Sequence, residues 1–183
     1  MPPPSDTRRV VSGEAILWSI EELGPDHDRA SFSCGHESLD TFLKQFASQN
    51  QRTGISRTFV ATKPGERIVR GYYSISAGSV QLTALTELQR KRLPKYPVSV
   101  AHLGRLAVDI TAQGQGLGSE LLIDALCRID RADRELGIHA VEVVAIDESA
   151  KRFYLKFGFA EMADDPHHLF MSLKLIRKLG LVR

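Results

Sequence analysis

The apolar run Leu103-Gly-Arg-Leu-Ala-Val-Asp109 is followed at once by Gln113-Gly-Gln-Gly-Leu-Gly118 and then by a long segment of helical periodicity. The run reads as a buried strand, and three glycines at alternating positions read as a tight loop. From Leu117 the apolar residues fall at Leu117, Leu121, Leu122, Ala125, Leu126 and Ile129, which is one face of a helix. Glycines just ahead of a helix let the backbone approach a ligand with its N–H groups turned outward. The helix dipole adds partial positive charge at the same place. Strand, loop and helix in this order define an α/β unit and mark Gln113–Ser119 as a candidate pyrophosphate cradle.

Spacing excludes two other phosphate loops. A dinucleotide loop needs G-x-G-x-x-G, but position 119 is Ser and Gly118 comes one residue early. It also needs an acid closing a second strand about twenty residues on, where this helix is read to continue through Asp130 and Asp133. A P-loop ends in Gly-Lys-Ser/Thr, and no Lys stands here. What remains is Gln/Arg-x-x-Gly-x-Gly/Ala, met by Gln113, Gly116 and Gly118. That pattern resembles the acetyl-CoA loop of the GCN5-related N-acetyltransferases, the GNAT enzymes.

A chain of 183 residues with this loop near its middle is read as one domain at 13–176, with a flexible tail at 1–12 and a basic tail at 177–183. No apolar run approaches membrane-spanning length and no signal-peptide order opens the chain, so no membrane and a cytoplasmic location are expected. Cys34 and Cys127 lie far apart without a CxxC, so neither a metal site nor a disulfide is expected. A net charge of +2 permits a polyanionic partner without demanding one.

Along the chain, Ala15–Glu22 reads as a first strand, and a helix is expected from Ser38 as N-cap with Leu39, Phe42, Leu43 and Phe46 on its apolar face. Strands are expected at 56–62, 68–81 and 98–109, with a short helix and a Pro-rich crossing over 82–95. Beyond the long helix come a strand at 140–146, a helix at 147–157 and a last strand at 169–175.

Asp147-Glu-Ser-Ala150-Lys-Arg-Phe-Tyr154-Leu-Lys-Phe-Gly158-Phe159 supplies a second motif. It resembles the GNAT pattern Asn/Asp-x-x-Ala-x-x-x-Tyr-x-x-x-Gly-Phe, in the right order after the first. Phe32-Ser-Cys34-Gly35, Leu39-Asp40-x-Phe42-Leu43 and Gly71-Tyr-Tyr-Ser-Ile-Ser76 are similar to one subgroup, the toxins of toxin–antitoxin modules that acetylate the α-amino group of aminoacyl-tRNA. The resemblance implies a mixed, splayed central sheet flanked by helices, acetyl-CoA as co-substrate and aminoacyl-tRNA as acceptor. It also implies a ribbon-helix-helix antitoxin as partner and a possible homodimer. Two alternatives stay open: a GNAT acting on a protein amino terminus or small amine, and a silent acyl-CoA-binding module.

By the same resemblance, Leu106, Ala107 and Val108 would pair with the pantetheine arm. Gln113, Gly114, Gln115, Gly116, Leu117, Gly118 and Ser119 would hold the pyrophosphate, with Asp147 and Ala150 beside the cofactor. Tyr154 would face the thioester sulfur as general acid, while Phe153 and Phe157 pack the short helix. Glu142, Asp109 and His102 are candidate bases to which no catalytic role is assigned. Candidate substrate contacts are Arg105 and the cluster Arg90, Lys91, Arg92 and Lys95, with Lys151, Arg152, Lys174, Arg177, Lys178 and Arg183 as further basic residues. Arg128, Arg131 and Arg134 alternate with acids and read as a solvated helix face. His167-His168 reads as a strand edge without metal-ligand spacing.

Overall fold

The computed structural model describes residues 18–182. The 1–12 tail, the start of the first strand at Ala15 and Arg183 lie outside the described residues. Strands β1 (Ser19–Glu22), β2 (Arg57–Thr62), β3 (Gly71–Val80) and β4 (Val98–Val108) form an antiparallel meander. Helix α4 (Leu117–Leu136) crosses over to β5 (Ala140–Val144), which lies parallel to β4. Helix α5 (Glu148–Lys156) leads to the two-residue β6 (Ala160–Glu161) and to β7 (His168–Ser172), antiparallel beside β5. The sheet order is β1-β2-β3-β4-β5-β7-β6. Numbered in chain order, the other helices are α1 (Glu37–Thr41), α2 (Ala47–Arg52), α3 (Glu87–Arg90) and α6 (Leu173–Lys178).

Strand side chains alternate between faces, and neighbours Tyr72 and Tyr73 accordingly serve different cores. On one face Leu117, Leu121, Leu122, Ala125, Leu126 and Ile129 of α4, the six residues of its periodic stripe, pack on Tyr73, Leu103, Val141, Val143 and Leu169. On the other face Phe32, Phe42 and Leu43 cover Val60, Tyr72 and Ala107. Further along that face Leu85 and Met162 sit with Val80, Val100 and Phe170. Among the described residues no helix is long and apolar enough to cross a membrane.

Several local expectations are corrected. The first helix is capped by His36 rather than Ser38, and Phe42–Phe46 is π-helical. The extra residue in that turn moves Phe46 off the apolar face, where it stands 46% exposed, and Ala47 is buried instead. The last strand stops at Ser172, whose hydroxyl accepts a bond from the Leu175 N–H and starts α6. Leu173 and Ile176, three apart, bury one helical face there, so the segment from 177 begins inside a helix rather than as a tail. Arg177 bonds Asp130 and Asp133 of α4 at 2.6 Å each. Arg128 is no solvated residue either: it pairs with Asp124 at 2.8 Å and covers the ring of Phe59 at 4.1 Å.

Candidate active site

β4 and β5 pair only at Val100–Ala140, Ala101–Val141 and His102–Glu142. Beyond that point they part. Across on β3, Ser74 faces Arg105 and Ile75 faces Leu103, so Gly104 is an extra residue in β4. Such a bulge bends its strand, and it falls two residues past the last pair with β5. A Cβ there would lie 3.3 Å from Ser74 Oγ and from the His102 ring, so any larger residue would make those side chains give by a few tenths of an ångström. The β5-side backbone edge of Leu106–Val108 thus has no strand partner among the described residues.

β4 runs into the glycine loop. Gly114 and Gly116 adopt φ of 74° and 84°, the left-handed region that favours glycine. Among the described residues, the N–H groups of Gly114, Gln115, Gly116, Leu117 and Gly118 make no hydrogen bond to the chain, whereas Ser119 N–H bonds the Gly116 carbonyl at 3.0 Å. Five uncommitted donors therefore stand at the positive end of a 20-residue helix, an arrangement suited to a pyrophosphate. The Gln113 side-chain amide donates to the carbonyls of Val108 and Cys34, at 3.0 and 3.2 Å, and so ties the loop to the segment before α1.

Opposite the loop, Asp147 caps α5 by accepting the Ala150 N–H at 2.7 Å, and its second oxygen lies 3.4 Å from His36 Nε2. A cleft of about 520 Å³ runs between these walls. Leu106, Ala107, Val108, Gln113, Gly114, Gly116, Leu117, Gly118, Asp147, Ala150 and Tyr154 line it, while Gln115 and Ser119 do not. Cys34, His36, Leu39, Ile146 and Phe153 also line it and were not assigned from the sequence. Only the fold brings the 34–39 segment to the loop, so its local pattern carries no cofactor signal.

At the far end this cleft meets a second one of about 280 Å³ lined by Gly104, Arg105, Val143 and Val144. Tyr154 borders both. Its ring packs edge-on against Phe153 and Phe159, at 5.2 and 5.5 Å, and the residue is 5% exposed. The expected division of labour is corrected here, because Tyr154 packs more deeply than Phe153 or Phe157 while still facing the clefts. Its hydroxyl makes no hydrogen bond to the described residues, and burial pushes its pKa up.

The candidate bases are engaged elsewhere. Asp109 accepts bonds from Ser33 and Thr111. Glu142 lies 3.2 Å from His102 and 2.7 Å from His168, whose other ring nitrogen meets Asp164 at 2.9 Å. His168 opens β7, at the strand edge where the sequence places it, and the two acids flank its ring. None of these residues lines either cleft. Arg105 lies at the smaller cleft with its guanidinium 3.8 Å from the Phe42 ring centre. Arg90 ends α3, Lys91, Arg92 and Lys95 follow it before β4 begins, and none of the four lines either cleft. Eight residues of β4 separate Val98 from Leu106, roughly 26 Å of strand. Lys151 pairs with Glu161 at 2.7 Å. Among the described residues no group of His, Cys, Asp or Glu is placed to hold a metal.

The family profile of the acetyltransferase (GNAT) domain matches residues 54–161. A curated relative, the tRNA-acetylating toxin of Mycobacterium tuberculosis, is 41% identical over 152 residues, covering 83% of this chain and 90% of the relative. The solved structure of AtaT complexed with acetyl-methionyl-tRNAfMet superposes with a TM-score of 0.83 at 32% identity, covering 90% of this chain and 99% of that one. A tyrosine-to-phenylalanine mutant of AtaT bound to the C-terminus of the antitoxin AtaR and acetyl-CoA gives 0.77 at 30% identity, covering 89% and 98%.

Proposed function

The chain belongs to the GNAT family of acetyltransferases, and we propose that it is an acetyl-CoA-dependent toxin that acetylates the α-amino group of aminoacyl-tRNA. The observation that carries this reading is the position of Tyr154, whose hydroxyl makes no hydrogen bond to the described residues and which borders both clefts where they meet. The larger cleft fits acetyl-CoA. Free N–H groups of Gly114–Gly118 would take the pyrophosphate, and the free edge of Leu106–Val108 would pair with the pantetheine amides. Acetyl-CoA supplies the acetyl group as an activated thioester.

The smaller cleft would receive the acceptor amine. An α-amino group whose carboxyl carbon is in amide linkage titrates near 8, and an ester in place of the amide draws electrons at least as strongly. A large neutral fraction therefore exists at pH 7, and the amine attacks without a protein base. Its nitrogen forms the amide bond as the carbon–sulfur bond breaks, and water takes the nitrogen's proton. The Tyr154 hydroxyl donates a hydrogen bond to the departing sulfur. With its pKa pushed above that of an ordinary phenol, the residue stabilises the thiolate rather than losing its proton to it. Positioning the two reactants supplies much of the remaining rate.

Relatives that bind tRNA and an antitoxin support tRNA as substrate and an antitoxin as partner. Within this reading the antitoxin is of ribbon-helix-helix type, the enzyme works in the cytoplasm, and two copies form a homodimer. Expression in a bacterial host tests the toxin role. Growth should arrest with the wild type and continue with Tyr154→Phe. Harmless accumulation of wild-type protein that still binds acetyl-CoA would overturn it.

A further inference from the structure

Where β4 and β5 part, a row of polar side chains crosses three strands. Glu142 of β5 stands opposite His102 of β4 in the last pair before the fork. One of its oxygens lies 3.2 Å from His102 Nδ1, and the other is hydrogen-bonded to His168 Nε2 at 2.7 Å. His168 belongs to β7 and stands opposite Val144, two residues nearer the open end of the fork. Its Nδ1 meets Asp164, in the turn between β6 and β7, at 2.9 Å. The His102 ring in turn lies against the bulge, since a Cβ on Gly104 would meet it at 3.3 Å. The Glu142 and His168 side chains are only 13% and 16% exposed.

The row sits at the apex of the smaller cleft. One wall of that cleft, Gly104 to Leu106, leaves the apex on β4, and the facing wall, Val143 and Val144, follows Glu142 directly on β5. Beyond the apex no backbone pairing joins the two strands among the described residues, so the angle between the walls is set where the row crosses. Taking a carboxylate out of water costs free energy that an apolar pair at the same place would not. Directed bonds shared among buried groups fix geometry more narrowly than apolar contact does. We propose that Glu142 is a positioning residue, which holds the amine wall on β5 at a set distance from the thioester carried on β4. The assignment rests on the reaction proposed above and adds a residue to it. Glu142 lines neither cleft and touches neither reactant. It acts through Val143 and Val144, and the amine they seat must meet the thioester carbon at contact distance. A misplacement of about 1 Å at that contact costs up to about a hundredfold in rate. The pyrophosphate and pantetheine contacts lie on the loop and on β4, so acetyl-CoA affinity depends little on the row.

The test measures kcat and KM for a charged tRNA and for the methyl ester of the same amino acid, in Glu142→Ala, Glu142→Gln, His102→Ala and Gly137→Ala. Acetyl-CoA affinity is measured alongside by calorimetry. Glu142→Ala and His102→Ala should each lower kcat about tenfold toward both acceptors, with acetyl-CoA affinity kept within about twofold. Glu142→Gln should recover most of the lost kcat, because an amide still has an oxygen and an N–H to place toward the two rings. Glutamine is no base, so that recovery separates positioning from proton abstraction. Gly137→Ala, which loses stability at the far end of α4, should leave kcat unchanged. Wild-type kcat in both Glu142→Ala and His102→Ala would overturn the proposal. So would a Glu142→Gln as slow as Glu142→Ala, or a fall in acetyl-CoA affinity that matches the fall in kcat. Wild-type activity on the ester with none on charged tRNA would overturn the proposed function, and kcat for the ester would then decide the role of Glu142. Activity on neither acceptor would overturn both.

Discussion

The carboxylate of Asp109, at the end of β4, accepts a 2.9 Å hydrogen bond from the backbone N–H of Ser33, 76 residues earlier in the chain. Its other oxygen takes the N–H and the hydroxyl of Thr111. One buried side chain thereby locks the first turn of the glycine loop to the segment that forms the opposite wall of the cofactor cleft.

Burial raises the Asp109 pKa, but the bonds from Thr111 and Ser33 together outweigh it and hold the carboxyl below its usual range. A lowered folded-state pKa means that the stabilisation is present above the ordinary carboxylate range and is lost as pH falls through the folded value. Asp109→Asn should therefore lower stability by about 2 kcal/mol at neutral pH, with a smaller loss in acid than the wild type shows. Urea unfolding at neutral and acid pH measures both. Acetyl-CoA binding should weaken as well, because the wall and the loop come apart.

Gly116 and Gly137 bracket α4 and both have positive φ, 84° and 68°, yet only Gly116 lies in the cleft. Alanine at either position meets open space and pays only backbone strain, about 1 kcal/mol or more. Gly116→Ala should also turn the loop donors and weaken acetyl-CoA binding about tenfold or more. Gly137→Ala should reduce thermal stability alone. Calorimetric titration of both variants checks the contrast; equal affinities would argue against the loop as the pyrophosphate site.

How much of this was legible beforehand differs by element. The α4 stripe was readable residue by residue, because an amphipathic helix writes its burial into a local period. The same holds for Asp147 as a helix start and for Gly114 and Gly116 in a turn. Cys34, His36 and Leu39 were not readable as cleft residues, since their place is set by long-range bonds to Gln113 and Asp109. Leu169–Leu175 misled because a strand's alternation and a helix's spacing agree over so few residues, until the Ser172 cap decides. The displacement of Phe46 by a π-helical turn has no signature in hydrophobic pattern at all.

His168 lies between Glu142 and Asp164. Burial lowers its pKa, but the two carboxylates outweigh this and hold it above the usual histidine value. For both acids burial acts upward, and their histidine contacts outweigh it and bring them below theirs. The raised His168 contributes stability that is complete below the ordinary histidine range and is lost as pH rises through its folded value. The lowered acids contribute stability present above the ordinary carboxylate range and lost below it. The cluster should therefore stabilise most between roughly pH 4.5 and 6.5. The melting temperature should fall by several degrees from about pH 6 to about pH 9, and His168→Gln should flatten that slope. Parallel slopes for the two proteins would exclude the cluster as its source.

The Tyr154 hydroxyl has no hydrogen-bond partner among the described residues to lose, so Tyr154→Phe should keep its fold and its acetyl-CoA affinity while kcat falls about a hundredfold or more. The most direct measurement is transfer of label from radiolabelled acetyl-CoA to a pool of charged tRNA, with uncharged tRNA, polyamines and peptides alongside. Label is expected on charged tRNA only, released by mild base as an N-acetyl amino acid and absent with Tyr154→Phe. Label on peptides or polyamines and none on charged tRNA would contradict the proposed function.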